Sequence, residues 1–330
     1  MLNFTFTYQK TSNLFHFIEN LSEWHYSCRL GDNKKWLLQT GDLTPEEQDA
    51  LGKMRLLLQK YDYGEKFLGI PFITISEERI WGEIKKWVEL NECTNLQTIF
   101  QIFTPRFKII WQNEEPKLQV WKKRLEELNN QGSRDNQIND LETFFNIEVQ
   151  SKIVKVCLLV NASEKGGGGN ANTGEEVITL DCSSMNIELA KRLYSTLWHE
   201  TIHLVFEKEQ LNPFLKDFLK DKGNFLMQSA LGQILKSPTA LLKEAIVTAV
   251  EAYLAKTYLN LDVEEEQKGK LGVKFEAVKV NPKNYRLWYI YAAQKLLPAI
   301  VEYVRQKRSV DNEFLQLTFE YYQDFLKIIT

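Results

Sequence analysis

The stretch Leu197-Trp-His-Glu-Thr-Ile-His-Leu-Val205 places two of the chain's four histidines in a single HExxH pattern. Residues four apart lie on one face of an α-helix, so His199 and His203 can direct their imidazole nitrogens at one point. Glu200 is rotated by about 100° from His199 and can stand beside a metal ion without binding it. The pattern therefore predicts half of a metal site, with a carboxylate placed to take a proton from water.

The surroundings of the motif favour a buried amphipathic helix. Residues 187–206 contain no proline or glycine. Apolar residues recur there at helical spacing: Leu193, Leu197, Ile202, Val205 and Phe206. A core helix that holds two histidines by hydrogen bonds alone is the other interpretation, but it does not explain the glutamate beside them. We expect a helix over 187–206 that carries metal ligands.

Composition limits the function classes. The chain has 330 residues, 44% of them hydrophobic, which is enough for a sizeable core in two lobes. A net charge of −3 argues against nucleic acid and acidic membranes as partners. No stretch approaches 18 uninterrupted apolar residues, and the N-terminus lacks the features of a signal peptide. The four cysteines form no CxxC pair, which favours a reducing compartment. We expect a cytoplasmic protein of undetermined oligomeric state.

The first part of the chain is predicted to be mainly helical after a strand at 1–9. Thr44-Pro-Glu-Glu47 is the clearest helix start, with a capping hydroxyl, a proline in the first turn and a glutamate three residues after the cap. The expected helices are 12–21, 44–61, 76–90, 95–103 and 116–129. The polar, turn-rich stretch 129–137 predicts a linker. A domain boundary near residue 135 follows.

Two β-rich runs, 152–160 and 176–180, precede the motif helix. The segment between them contains four glycines, Gly166 to Gly169, without the spacing of a nucleotide-binding loop. It can border a cleft in which an extended peptide pairs with a strand, and a flexible hairpin tip explains it equally well. After the motif we expect a break at Asn212-Pro213, helices around Gly223 within 214–236, and helices at 237–259, 281–306 and 311–329.

The helix predicted at 237–259 carries the candidates for a third metal ligand. Ser237-Pro238 supplies a cap and a first-turn proline, and apolar residues follow almost all round the helix. A buried carboxylate needs a partner or a metal, and this helix contains Glu244 and Glu251. The two glutamates are seven residues apart and nearly share a face, so helix geometry alone does not separate them.

At this point the sequence resembles the gluzincin, or thermolysin-like, branch of the zincin metallopeptidases. Lys243-Glu-Ala-Ile-Val-Thr248 is similar to the family's Asn-Glu-Ala-Ile-Ser-Asp motif, which supplies a ligand from a later helix. The resemblance implies that His199, His203 and Glu244 bind Zn²⁺ and that Glu200 is the general base. It covers these two helices and, loosely, the two strands before them.

The resemblance also implies a fold and an activity. The fold would be α+β and predominantly helical, and a zincin-like core at 136–330 would hold a small sheet, the HExxH helix and the glutamate helix. The helical N-terminal lobe at 1–135 is predicted from its own helix signals and the linker after it, because the resemblance does not extend to residues 1–145. The activity would be hydrolysis of peptide or protein substrates. Because no propeptide signal is visible, we expect a narrow cleft between the N-terminal lobe and the metal site to restrict access. A noncatalytic zincin-fold binding protein or structural zinc protein is the alternative, and hydrolysis of a nonpeptide amide stays open.

Three points of the site depart from the family or stay open. Thr248 stands where the family commonly has an aspartate that holds a histidine, so another group such as Asp181 holds the ring or metal affinity is lower. Cys157 is a further possible ligand, as in peptide deformylases, although its neighbours lack that family's Glu-Gly-Cys-Leu-Ser pattern. The donor to the developing oxyanion is undecided among Tyr285, Tyr289 and Tyr291.

Overall fold

The computed structural model describes residues 2–25, 28, 30–61, 69–86, 88–162, 168–172, 176–183, 189–262 and 285–329. These residues are predominantly helical and include one small sheet, so the expected α+β character is present. They group into two compact units. The sheet unit comprises Phe4–Leu128 and Ile153–Leu193, and the helical unit comprises Met1–Asn3, Asn129–Lys152 and Tyr194–Thr330.

Each unit is built from segments that are not consecutive in the sequence. Residues 153–193, which include the strands ahead of the motif helix, belong to the same unit as the first helices of the chain. The sequence interpretation grouped these strands with the metal-binding helices instead. The division of the protein into functional domains at residue 135 stays a prediction.

The sheet contains β1 (Leu2–Thr7), β2 (Lys152–Asn161), β3 (Gly169–Asn172) and β4 (Val177–Ser183) in the order β1-β2-β4-β3. Strands β2 and β4 are parallel, with Leu158 opposite Leu180, and β3 is antiparallel to β4. Alternate residues of β1 are buried, whereas β2 is buried continuously from Val156 onward. A continuous buried run is typical of a strand that is covered on both faces.

The helices of the sheet unit are α1 (Lys10–Ser22), α2 (Leu30–Thr40), α3 (Pro45–Tyr61), α4 (Ile70–Thr74), α5 (Glu77–Ile84) and α6 (Leu90–Asn129). Helix α3 begins as predicted. The Thr44 N–H donates to Glu47 Oε2 at 2.8 Å, and the Glu47 N–H donates to Thr44 Oγ1 at 3.2 Å. This reciprocal pair satisfies two backbone donors that have no partner inside the helix.

Helix α6 corrects the prediction of two separate helices at 95–103 and 116–129. It is a single 40-residue helix with Pro105 and Pro116 inside it. A proline within a helix removes one hydrogen bond and costs about 3 kcal/mol. Burial of one large apolar side chain contributes about 1.5–3 kcal/mol. Helix α6 buries many such side chains on both sides of the prolines, including Phe103, Phe107 and Leu118, so it continues through them.

The remaining helices are α7 (Arg134–Phe145), α8 (Ala190–Thr201), α9 (Asn212–Gln228), α10 (Ala230–Leu235), α11 (Pro238–Leu259), α12 (Leu287–Arg305) and α13 (Asn312–Ile329). Helix α7 begins inside the predicted linker, which is therefore shorter than expected. The predicted helix at 281–306 begins in residues outside the described ranges, and its described part matches α12. No helix in the described ranges is both long and apolar enough to cross a membrane.

The break predicted at Asn212-Pro213 is absent. Helix α8 continues into a π-helical segment, Ile202–Leu211, which leads directly into α9. At the junction the Asn212 N–H bonds to the carbonyl of Glu207, five residues back. Pro213, the second residue of α9, therefore lies inside a continuous helical run, which does not end at it. Gly223 also lies inside α9 and does not interrupt it.

Helix α11 is the most buried helix of the helical unit, as its sequence predicts. The Ser237 hydroxyl caps it by accepting a hydrogen bond of 3.2 Å from the Ala240 N–H. It packs most extensively against α12 and also contacts α9 and the π-helical segment. The Trp288 indole N–H donates to the carbonyl of Leu241 at 2.7 Å, which fixes α12 against the first turns of α11. Burial of α11 holds its glutamates in place beside the HExxH motif.

Candidate metal centre

The two histidines of the motif face each other across one turn of helix. His199 lies in the last turn of α8, and His203 lies at the start of the π-helical segment. Their ring centroids are 4.8 Å apart, and their Nε2 atoms are 3.1 Å apart. Both rings are mostly buried, with 19% of the His199 side chain and 13% of the His203 side chain exposed. Both Nε2 atoms therefore point at the same small volume, as the spacing in the sequence predicts.

Glu244 of α11 brings its carboxylate to this volume. Its Oε1 is 3.3 Å from His203 Nε2, and its Oε2 is 3.8 Å from His199 Nε2. The three potential ligand atoms of His199, His203 and Glu244 lie within 4.8 Å of one another. Two imidazole nitrogens and one carboxylate that converge in this way can hold a metal ion.

The other nitrogen of each histidine contacts a second carboxylate. His199 Nδ1 is 2.9 Å from Glu251 Oε2, and His203 Nδ1 is hydrogen-bonded to Glu207 Oε2. An ionised carboxylate only accepts hydrogen bonds, so each Nδ1 carries a proton, and each Nε2 is the nitrogen that can bind a metal once it is deprotonated. Carboxylates that hold Nδ1 in this way set the ring orientation of metal-binding histidines.

These carboxylates have their own partners. Glu251 accepts a hydrogen bond of 2.8 Å from the Ser195 hydroxyl, and Glu207 is paired with the Lys243 ammonium at 3.1 Å. Both glutamates are buried. Each histidine is thus held by a buried carboxylate that is itself anchored on its second oxygen.

The geometry separates the two glutamates that the sequence left as alternatives. Glu244 faces both Nε2 atoms, and Glu251 sits behind His199 on its Nδ1 side. Sequence analysis missed Glu207. Its position four residues after His203 was the available signal, since residues four apart share a helical face.

The other residues considered for the site lie elsewhere. The Thr248 hydroxyl donates to the backbone carbonyl of Glu244 at 2.7 Å. The side chains that hold the two imidazoles are glutamates instead. Asp181 lies 3.8 Å from His16 in the sheet unit. Cys157 is buried in β2, with its Sγ 3.5 Å from the Ser12 hydroxyl. In the described part of the chain, the grouping of potential metal ligands contains none of these three residues.

The charges of the cluster shift its pKa values in the directions expected for coupled histidines and carboxylates. Burial opposes the charged form of His199, but Glu244 and Glu251 outweigh burial and raise the pKa of His199 well above 6.5. The pKa of His203 is raised in the same way by Glu207 and Glu244. For Glu244, burial is outweighed by the two histidines, and the pKa of Glu244 is lowered strongly.

Glu200 differs from the other glutamates of the cluster. Burial raises the pKa of Glu200 above its ordinary value, while His199 and His203 lower it and Glu244 raises it further. Burial is the dominant cause, because a charged carboxylate is less stable when it is removed from water. A carboxylate with a raised pKa next to a potential metal site is suited to accept and return a proton.

Of the three tyrosines considered, Tyr289 is buried and lies near enough to Glu244 for the carboxylate charge to affect its pKa. Burial raises the pKa of Tyr289, and the negative charge of Glu244 raises it further, so its hydroxyl stays protonated. Tyr285 contacts the Tyr289 ring edge-on, with the centroids 6.0 Å apart. Tyr291 packs against Trp288 and Phe325 in the apolar core.

The glycine run lies partly outside the described ranges. Gly168 accepts a hydrogen bond of 2.8 Å from the Asp181 N–H, and Gly169 begins β3 at the end of the strand order. The role of this segment at a cleft, and the narrow cleft itself, stay predictions.

The chain was compared with known protein families, characterised proteins and solved structures. None of the three comparisons found a match.

Proposed function

We propose that this protein is a zinc-dependent peptidase of the gluzincin type. The observation that carries the proposal is the convergence of His199, His203 and Glu244, with the second nitrogen of each histidine held by a carboxylate. Two histidines and one glutamate are the ligand set of thermolysin-like catalytic zinc sites, which keep the fourth position open. The proposal includes the zincin-like arrangement of the HExxH helix and the glutamate helix.

The spacing of the ligand atoms fits zinc. Zinc bonds to nitrogen and oxygen are about 2.0–2.1 Å long, so two ligand atoms of a tetrahedral site are about 3.3 Å apart. The corresponding distances here are 3.1 Å between the two Nε2 atoms, 3.3 Å from His203 to Glu244 and 3.8 Å from His199 to Glu244. Three donors at this spacing need little rearrangement to bind zinc.

The mechanism assigns each residue a distinct part. When bound, zinc supplies a Lewis acid that lowers the pKa of water toward 7 and polarises a carbonyl. Glu200 accepts a proton from the attacking water and returns it to the leaving nitrogen of the peptide. Glu207 and Glu251 keep the two imidazoles in the orientation that binds metal. Tyr289 donates a hydrogen bond to the developing oxyanion.

The proposal also includes a compartment and a substrate class for the enzyme. The four cysteines are free thiols, and free thiols persist in a reducing compartment. We therefore propose that the enzyme acts in the cytoplasm on peptide or protein substrates.

The first experiment measures metal content in the purified wild type and in Glu244→Ala and Glu251→Ala, by elemental analysis after dialysis without chelator. We expect about one zinc per chain in the wild type, as one such site requires, with the largest loss in Glu244→Ala. Iron in place of zinc would contradict the proposal, because the same donors also form iron(II) sites. Folded wild-type protein that takes up no added zinc would also contradict it.

The second experiment distinguishes a peptidase from a noncatalytic zinc protein. Hydrolysis of an unfolded protein is followed in the wild type and in Glu200→Gln, with zinc content measured on the same samples. A peptidase loses hydrolysis in Glu200→Gln and keeps its zinc. Zinc-loaded wild type that hydrolyses no peptide or protein would favour a binding or structural role.

A further inference from the structure

The metal centre is part of a longer seam between two helical runs. The seam is the line of contact between the run from α8 to α9 and helix α11. Ser195 contacts Glu251, both histidines contact Glu244, and Glu207 contacts Lys243. Residue numbers rise on one side of the seam and fall on the other, so the two runs are antiparallel. Beyond Lys243 the seam approaches the first turn of α11.

At that end the seam opens into a groove. From α9 and α11, the residues that line it are Asn212, Lys216, Leu219, Lys220, Gly223, Pro238, Thr239 and Lys243. Its volume is about 570 Å³. The lining contains three lysines and, among the described residues, no carboxylate. The hydroxyl of Thr239 and the amide of Asn212 add neutral hydrogen-bonding groups.

The existing partners of the groove lysines leave room for an acidic ligand. Lys220 pairs with Asp217 at 2.8 Å, but both side chains are exposed, at 68% and 77%. Exposed ion pairs are weak because water screens both charges, so an incoming carboxylate can replace Asp217 at little cost. Lys243 pairs with the buried Glu207 and stays in place on the groove wall, so Lys216 and Lys220 are the lysines offered to an acidic ligand.

The groove lies within peptide reach of the metal centre. Thr239 is five residues from Glu244, or roughly 7 Å along the helix, and Lys216 is thirteen residues from His203, or roughly 15–20 Å. An extended peptide advances about 3.3 Å per residue. A peptide that follows the seam from the metal centre therefore reaches Thr239 roughly two residues, and Lys216 roughly five to six residues, from the bond that is cleaved.

We propose that this groove binds an acidic segment of the substrate, so that the enzyme favours peptides with several Asp or Glu residues roughly two to six positions from the cleaved bond. This inference rests on the proposed peptidase function, which is the reason to expect a peptide along the seam. The preference for acidic residues follows from the charge and position of the lysines. Electrostatic complementarity of this kind acts mainly through the encounter rate and specificity, and it weakens as salt rises.

The test uses the zinc-loaded Glu200→Gln protein, which is expected to bind peptide without cleaving it. Two fluorescein-labelled peptides of equal length are compared by anisotropy, one with four Glu residues and one with Gln in their place. We expect the Glu peptide to bind at least about 10-fold more tightly at low salt, with the difference shrinking at high salt. Equal binding of the two peptides would overturn the proposal.

Substitutions of the groove lysines test whether the preference for the Glu peptide arises in the groove. Adding Lys216→Glu and Lys220→Glu is expected to remove the preference for the Glu peptide, and Lys216→Gln with Lys220→Gln to reduce it about threefold. The matched control is Lys208→Glu, an exposed lysine on the same helical run outside the groove lining. Circular dichroism checks that each variant is folded. A preference that survives both pairs of substitutions would place the acidic site elsewhere and overturn the inference.

Two further measurements distinguish this inference from a site for small anions and from a failure of the proposed function. Displacement of the Glu peptide by micromolar inorganic phosphate would identify a site for small anions and overturn the peptide proposal. Zinc content and hydrolysis of unfolded protein are measured on the wild type from the same preparation. Their failure would count against the proposed function, whereas normal values with equal peptide binding would count against the groove alone.

Discussion

Glu251 Oε2 lies 2.9 Å from the Nδ1 atom of His199, and this contact gives the glutamate a supporting role behind the metal centre. The residue that faces the Nε2 atoms is Glu244, seven positions earlier on the same helix. In the proposed gluzincin-type site, the support that the family usually draws from the fourth residue after its ligand would come from the seventh. Two turns of α11 thus supply both the ligand and the group that orients one of its neighbours.

The supporting carboxylates are expected to control metal affinity. Replacing Glu251 or Glu207 by Gln should raise the zinc dissociation constant about 10–100-fold, because loss of a carboxylate behind a ligand histidine weakens its orientation and basicity. Competition with a chelating dye measures the constant. Glu209→Gln, an exposed glutamate on the same helical run, is the control. Wild-type affinity in both Glu251→Gln and Glu207→Gln would show that the contacts carry no function.

Glu200 is expected to affect the reaction and not the binding of metal. Glu200→Gln should retain zinc and lose hydrolysis by about 10²–10⁴-fold, the usual contribution of a general base. Initial rates on an unfolded protein, corrected for zinc content, measure the effect. Zinc loss that parallels the loss of rate would instead make Glu200 a residue that holds the metal site together.

Tyr289 is expected to act on turnover. Tyr289→Phe removes only the hydroxyl and should lower kcat about 10²-fold with little change in KM, because the hydrogen bond to an oxyanion forms in the transition state. Tyr291→Phe is the matched control on the same helix, since that ring packs in the apolar core. Equal effects of the two substitutions on kcat would remove Tyr289 from the mechanism.

The stability of the metal-free protein is expected to depend on pH. The raised pKa values of His199 and His203 mean that their contribution is fully present below the ordinary pKa of 6.5 and is lost as the pH rises through the folded-state values. The lowered pKa of Glu244 means that its contribution is present above 4.5 and is lost as the pH falls. Stability should therefore be greatest between about pH 5 and 6.5.

Scanning calorimetry of EDTA-treated protein between pH 4 and 9 checks this expectation. The melting temperature should fall from pH 6.5 toward pH 9. Glu200, whose pKa is raised by burial, shifts stability in the same direction. A melting temperature that stays constant or rises over that range would contradict the assignment of protons to the two imidazoles.

The HExxH pattern determined more of the site than any other part of the sequence. Its spacing alone places His199 and His203 on one helical face, because four residues are close to one turn whether or not the helix is packed. The helix starts at Thr44 and Ser237 could also be predicted from the sequence, since a cap is a contact between residues three apart. Local signals of this kind need no knowledge of the rest of the fold.

Tertiary structure decided the points at which distant segments meet. Helix α6 passes two prolines, because the burial of its apolar side chains outweighs the local preference. The roles of Glu244 and Glu251 depend on how α11 rotates and slides against α8, and residues that nearly share a helical face cannot reveal that choice. Helix periodicity comes from the bonds of one segment, whereas ligand and support are distinguished only by the side chains of the other helix.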